Sequence, residues 1–220
     1  MNPALPLYIW ISPGFPVGGF AYSHGLEWAA EAGHVRDAAS LKAWLEDILA
    51  HGAAHNDAVL AAQAWRAVSG ADRSALRDVN ALAVALANSR ERRLETVTQG
   101  RAFLTIIRDA WPLPEPLFGE GDVAYPCAFG AAAAAHGCPL APTLEAMLLG
   151  FVSNLVSAAL RLSVIGQTDG QRIIAALLPQ LRALAQRAED SGPDDLGGCA
   201  LRSDMAALYH ETQYSRLFRS

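Results

Sequence analysis

The stretch Leu144-Glu-Ala-Met-Leu-Leu-Gly-Phe-Val-Ser-Asn-Leu-Val-Ser-Ala-Ala-Leu-Arg-Leu-Ser-Val-Ile165 carries apolar residues on every face, with only Ser153, Asn154 and Ser157 polar near its middle. A helix of that composition must be covered all round. Pro142 or Thr143 is expected to start it. Either it forms the centre of a helical bundle or part of it is closed by a second copy of the chain. Fifteen residues separate the charges of Glu145 and Arg161, fewer than the roughly 20 apolar residues a membrane span needs, so a buried helix is expected.

Reading outward, helical periodicity continues on both sides. After a tight turn at Gly166-Gln167-Thr168-Asp169-Gly170-Gln171, a helix carries Ile173, Ile174, Leu177, Leu178, Leu181 and Leu184. Gln167 and Gln171 can cap helix ends or anchor another segment. The loop Gly192 to Gly198 and a last short helix, Leu201 to His210, follow. On the other side, Pro126 suits the first turn of a helix through Ala131 to Ala135, which Gly137 and Pro139 end. Trp111 to Asp122, rich in Pro and Gly, is a connection that need not divide domains.

Ser89 to Gly100 and on to Ile107 reads as one long helix. Glu91 and Glu95 share a face, and like charges four apart cost a few tenths of a kcal/mol unless Arg92, Arg93 or a partner supplies a cation. Gly100 costs about 0.8 to 1 kcal/mol inside a helix, which implies a close backbone neighbour. A solvated charged face is the plainer reading. Asp37 or Ser40 caps a helix with Leu41, Trp44, Leu45, Ile48 and Leu49 at helical spacing. Gly52 interrupts it, Ala53 to Ser69 forms the next, and Asp72 caps another with Leu76, Val79 and Leu82. The expectation is all-α: a single-domain bundle of about 8 to 10 helices over residues 1–220, without a sheet.

Ser12 to Glu27 is a shaped loop: Pro13 and Pro16 fix φ, while Gly14, Gly18 and Gly19 open other backbone shapes. Gly14 to Gly19 has the glycine spacing of a phosphate-binding loop, but Phe20 and Ala21 stand where its Lys and Ser or Thr belong. Nucleotide binding by this route is excluded. His24 and Glu27, three apart on one face of a helix running to Gly33, can begin that helix with a mutual hydrogen bond, hold a metal, or act as acid and base. His51 and His55 are four apart with Asp57 nearby, but Gly52 stands where a zinc-protease helix has Glu, and Asp57 falls on another face. Surface or packing roles suit them better than a metal.

With 52% hydrophobic and 18% charged residues, the chain is not disordered. A net charge of -5 without a basic run argues against nucleic acid. Cys127, Cys138 and Cys199 are odd in number and lack a C-x-x-C pair, which fits reduced thiols in a cytoplasm. Pro3 and Pro6 break the N-terminal segment early, so no signal peptide is expected. The tail from Glu211 to Ser220 is unusual: exposure of Tyr214, Leu217 and Phe218 would forgo roughly 1.5 to 3 kcal/mol each, and Arg216 and Arg219 flank them. It either docks on a partner or folds back on its own domain.

These stretches together resemble the UreF family of urease accessory proteins along the whole chain. The similarity is carried by Ser12-Pro13, Pro16-Val17-Gly18-Gly19-Phe20, Tyr22-Ser23-His24-Gly25-Leu26-Glu27, Ser89-Arg90-Glu91, Glu95-Thr96, Gln99-Gly100, Gly166-Gln167, Gly170-Gln171 and Ser215-Arg216-Leu217-Phe218-Arg219-Ser220. Gly14 departs from the family pattern, where a small residue such as Ala is usual. The resemblance implies a cytoplasmic, non-catalytic, dimeric adaptor that bridges the scaffold protein UreD (also called UreH) and the GTPase UreG, and so helps nickel reach urease. On that basis Tyr22, Ser23, His24, Glu27, Glu91, Glu95, Gln167, Gln171, Tyr214, Arg216, Leu217, Phe218 and Arg219 are the candidate partner-binding residues. The tail would dock on UreD, while Ser12 to Glu27 and the Glu91/Glu95 face would help form the UreG surface. No cofactor or resident metal is expected. The competing expectation is an all-α enzyme using His24 and Glu27. A pocket beside His24 with a strongly shifted carboxylate favours the enzyme, and a surface shared with the tail favours the adaptor.

Overall fold

Asp37, Asp72 and Ser89 each turn a side-chain oxygen onto the free N–H groups of the helix that follows, and these caps set much of the helical register. Asp37 and Ser40 form a reciprocal box, with Ser40 N–H donating to the Asp37 carboxylate at 2.8 Å. The computed structural model describes residues 2–220. It contains α1 (Leu5–Trp10), α2 (Leu26–Glu31), α3 (Ala38–His51), α4 (Ala53–Ser69), α5 (Arg73–Ala85), α6 (Arg90–Ala110), α7 (Tyr125–Ala135), α8 (Leu140–Arg161), α9 (Gln167–Asp190) and α10 (Leu201–His210). Single 3₁₀ turns lie at Gly19–Ala21 and Pro193–Asp195, and no strand occurs among the described residues. The all-α expectation and the helix number are met.

The innermost layer is α4 against α7. Both are alanine-rich, α7 is buried from Pro126 to Ala133 and α4 along the face that meets it, and a Cβ on Gly130 would overlap the Ala61 carbonyl oxygen, so the two backbones touch. Gly100 of α6 does the same against the Val123 carbonyl oxygen, which explains a glycine inside that helix. Around this layer stand α3, α6, α8 and α9. Trp10 of α1 is buried among Phe103, Phe129, Trp111 and His136 in edge-to-face contacts with centroids 5.4–6.0 Å apart.

Two boundaries differ from the sequence reading. Extended Pro139 lets α8 begin at Leu140, with the Thr143 hydroxyl donating to the Pro139 carbonyl at 2.7 Å. It ends at Arg161, before Ile165, because Ser163 adopts a left-handed φ of 58°. The turn expected over Gly166 to Gln171 shrinks to Gly166, and Gln167 opens α9. Gly170 lies in the first turn because a Cβ there would meet Val156 at 2.9 Å. With 22 residues, α8 is long and apolar enough to cross a bilayer by those criteria alone. Its packing against α4, α7 and α9 gives that composition another cause. The central position expected for α8 belongs to α4 and α7, and α8 leaves Phe151, Ser153 and Asn154 half-buried.

Candidate functional site

Gly25, the N-cap of α2, has a φ of 75°, and a Cβ on it would lie 2.6 Å from the Ala207 nitrogen, so α2 and α10 meet through their backbones. His24 precedes the helix with a φ of 55°. The expectation that His24 and Glu27 share a helical face is therefore wrong: the left-handed residue turns the imidazole away from α2. It reaches α6, where Nε2 lies 2.8 Å from both Arg92 Nη1 and Glu95 Oε1. Burial, and then the Arg92 charge, hold the imidazole below its ordinary pKa, so it is neutral at pH 7 and its contact with Glu95 is a hydrogen-bonded one.

Glu27 faces the other way. Its Oε1 accepts the backbone N–H of Leu217 at 2.6 Å, and its Oε2 accepts that of Phe218 at 2.9 Å. His210, fully buried at the end of α10, places Nε2 3.1 Å from Glu27 Oε2 and Nδ1 2.7 Å from Glu91 Oε2. Arg216 Nη1 donates to Glu91 Oε1 at 2.6 Å. Glu95 accepts from Gln99 Nε2 at 3.0 Å and the Ser220 hydroxyl at 2.8 Å, and pairs with Arg92. Burial alone would raise the Glu95 pKa, but Arg92 and then His24 outweigh it and bring the carboxyl down to about 2.

A continuous buried ionic seam thus joins the loop before α2, the first turns of α6, the end of α10 and the chain's last residues. The backbone oxygen of Ser220 accepts Ser23 N–H at 2.7 Å and the Ser23 hydroxyl at 2.5 Å, while Arg219 N–H donates to the Ala21 carbonyl at 2.8 Å. Phe218 is buried beneath the Arg161 guanidinium, which lies 4.2 Å from its ring centroid and donates to the Phe20 carbonyl. Of the tail's apolar residues, Phe218 is therefore bound within the chain, while Tyr214 and Leu217 stay exposed, as does Arg219. The backbone segment from Leu217 to Ser220 folds back, as the second reading of the tail has it.

The seam gathers Ser23, His24, Glu27, Glu91, Glu95, Arg216 and Phe218 from the candidates. Tyr22 is buried beside it, its carbonyl accepting from Asn154 at 3.3 Å. Gln167 and Gln171 lie elsewhere, exposed on the first turns of α9. His210 was missed; its only signal was a histidine at the last helical position before an apolar tail. The cations expected near the two glutamates divide: Arg92 serves Glu95, Arg216 serves Glu91, and Arg93 pairs with Asp122. His51 ends α3 exposed, whereas His55 in α4 bonds the Asp195 carbonyl at 3.0 Å, so they form no pair. No metal-binding group of three His, Cys, Asp or Glu occurs among the described residues.

A cavity of about 430 Å³ does open beside His24, between the Trp10 to Phe20 segment, α6 and α8. It holds the shifted carboxyls of Asp57 and Glu95, while Glu27 is absent from its lining. The feature expected to favour an enzyme is present, but the His24–Glu27 acid and base pair is not: each side chain is bonded to a different set of partners.

These features define an all-helical protein in which a buried ionic seam fastens the chain's own C-terminal segment. The UreF family profile matches residues 35–178. The chain is 57% identical over 222 residues to the urease accessory protein UreF of Xanthobacter autotrophicus, covering 98% of this chain and 90% of that one. It is 55% identical over 223 residues to UreF of Methylobacterium radiotolerans, covering 99% and 96%, and 52% identical over 224 residues to UreF of Methylorubrum populi, covering both fully. The chain belongs to the UreF family of urease accessory proteins.

Proposed function

We propose that this chain is a non-catalytic, cytoplasmic adaptor that bridges UreD (UreH) and the GTPase UreG as a homodimer, assembling the complex in which apo-urease receives nickel and coupling nickel release to the state of GTP. Nickel passes through or beside it without stable binding. Residues 1–220 act as one domain, with 211–220 as its docking tail.

The observation that carries the reading is the division of labour in that tail. Glu27, Glu95, His210 and the Ser23 backbone fix its return path, and the fixed path leaves Tyr214 wholly and Leu217 mostly out in water. Side chains exposed on a tethered segment are pre-ordered for contact, which lowers the entropic cost of binding. Tyr214, Leu217 and Arg219 then form the UreD-facing set, with Phe218 and Arg216 as their anchors. Tyr22, Ser23, His24, Glu27, Glu91 and Glu95 shape the UreG surface from beneath by holding the loop from Ser12 to Glu27, and exposed Gln167 and Gln171 provide a separate polar contact.

The test is co-purification of tagged full-length chain with UreD and UreG. Tyr214→Ala with Leu217→Ala is expected to weaken UreD capture by tenfold or more while leaving the melting temperature unchanged. Undiminished UreD capture by the double variant, or by a chain cut before Glu211, would remove the tail from the reading.

A further inference from the structure

His210 closes α10 with its side chain wholly shut off from solvent, and both ring nitrogens face carboxylate oxygens. Nε2 lies 3.1 Å from Glu27 Oε2, and Nδ1 lies 2.7 Å from Glu91 Oε2. An ionised carboxylate only accepts, whereas a neutral imidazole has one N–H to give and one lone pair. A neutral His210 would therefore aim that lone pair at a carboxylate oxygen. Both carboxylates are also committed as acceptors elsewhere: Glu27 takes the N–H groups of Leu217 and Phe218, and Glu91 takes the Arg216 guanidinium. The two protons these contacts need come from the ring.

The surrounding charges lead to the same protonation. Glu27 comes from α2, Glu91 from α6 and Arg216 from the tail, which leaves one negative charge for an imidazolium to cancel. The other charged groups near it are engaged: Arg92 with Glu95 on α6, Glu211 with the N–H groups of Arg90 and Glu91, Asp204 with Asn88, and Glu31 with Gln213. We infer that His210 is an imidazolium that latches the C-terminal segment, and that losing one ring proton on the alkaline side frees Leu217 to Ser220 from α2 and α6. The released lone pair repels the carboxylate it faces, and Glu27 is the acceptor on which the Leu217 and Phe218 amides depend. Because the latched form holds a proton that the freed tail gives up, its stability falls as the pH rises. The latch belongs to this chain alone; only its consequence, docking that weakens as the pH rises, rests on the adaptor reading.

The test uses the full chain without partners, so its failure is separate from any failure to capture UreD. Nitrogen-15 NMR at pH 7 should show both His210 ring nitrogens carrying protons. Hydrogen exchange from pH 7 to pH 9, corrected for the intrinsic rate, should show protection of the Leu217 and Phe218 amides falling by up to about tenfold per pH unit, while α4 keeps its protection. Glu91→Gln supplies an amide N–H to a neutral ring and an oxygen to Arg216, so in that variant the tail should stay protected and the fall with pH should shrink to less than about twofold. A singly protonated ring at pH 7, tail protection that is unchanged up to pH 9, an equal fall in α4, or the same fall in Glu91→Gln as in the parent would each overturn the proposal.

Discussion

Glu95→Gln isolates the charge at the middle of the seam. The carboxyl is 3% exposed, and its pKa falls from an ordinary 4.5 to about 2. Those roughly 2.5 units correspond to about 3 kcal/mol of stability at pH 7, and the near-complete burial calls for no discount for solvent screening. The variant also strands the Arg92 guanidinium, whose side chain is only 11% exposed, without its carboxylate. For a chain of this length, about 3 kcal/mol lowers the melting temperature by about 6 to 12 °C. The sign with pH follows from the depressed pKa: the contribution is complete above pH 4.5 and disappears as the pH falls through about 2. Urea unfolding followed by circular dichroism should therefore show a constant gap between parent and variant from pH 7 to about 5, roughly halved by pH 3. A gap below about 1 kcal/mol at pH 7, or one equally wide at pH 3, would refute the seam's energetics.

Asp57→Asn should act in the opposite direction: a raised carboxyl pKa means that the ionised form costs stability, so the variant gains about 2 kcal/mol above pH 6 and nothing below about pH 4, read by the same urea titrations. Phe218→Ala should release the tail without unfolding the bundle. Hydrogen exchange at the Leu217 and Phe218 amides, both held by Glu27, should then quicken by about 100-fold, whereas exchange in α4 stays as in the parent. Gly130→Ala should destabilise the chain by about 1 to 3 kcal/mol or more, since α4 or α7 must move to admit the methyl group, and thermal melts would show it.

The helices were legible because their signals are local. Asp37, Asp72 and Ser89 sit next to the N–H groups they cap, and the apolar spacing of Leu41, Trp44, Leu45, Ile48 and Leu49 returns as the buried face of α3. Gly100 could be read as a close contact, although Val123 could not be named as its neighbour. The seam was legible only as a set of unusual residues, because its bonds join positions far apart: Glu27 to Phe218, Glu91 to His210, Ser23 to Ser220. Spacing suggested that His24 should meet Glu27. A left-handed backbone at His24, just before the close approach of α2 and α10 at Gly25, sends the two side chains to different neighbours. Asp57 is close to His51 and His55 in the sequence, yet α4 carries it to the cavity wall, where its neighbours come from α6 and α7.

Activation of apo-urease by nickel and GTP, with UreD and UreG supplied and this chain present or omitted, tests the adaptor account most directly. The account predicts that urease activity appears only when the chain is added and fails to appear with a chain ending at His210. Equal activation without the chain would contradict it.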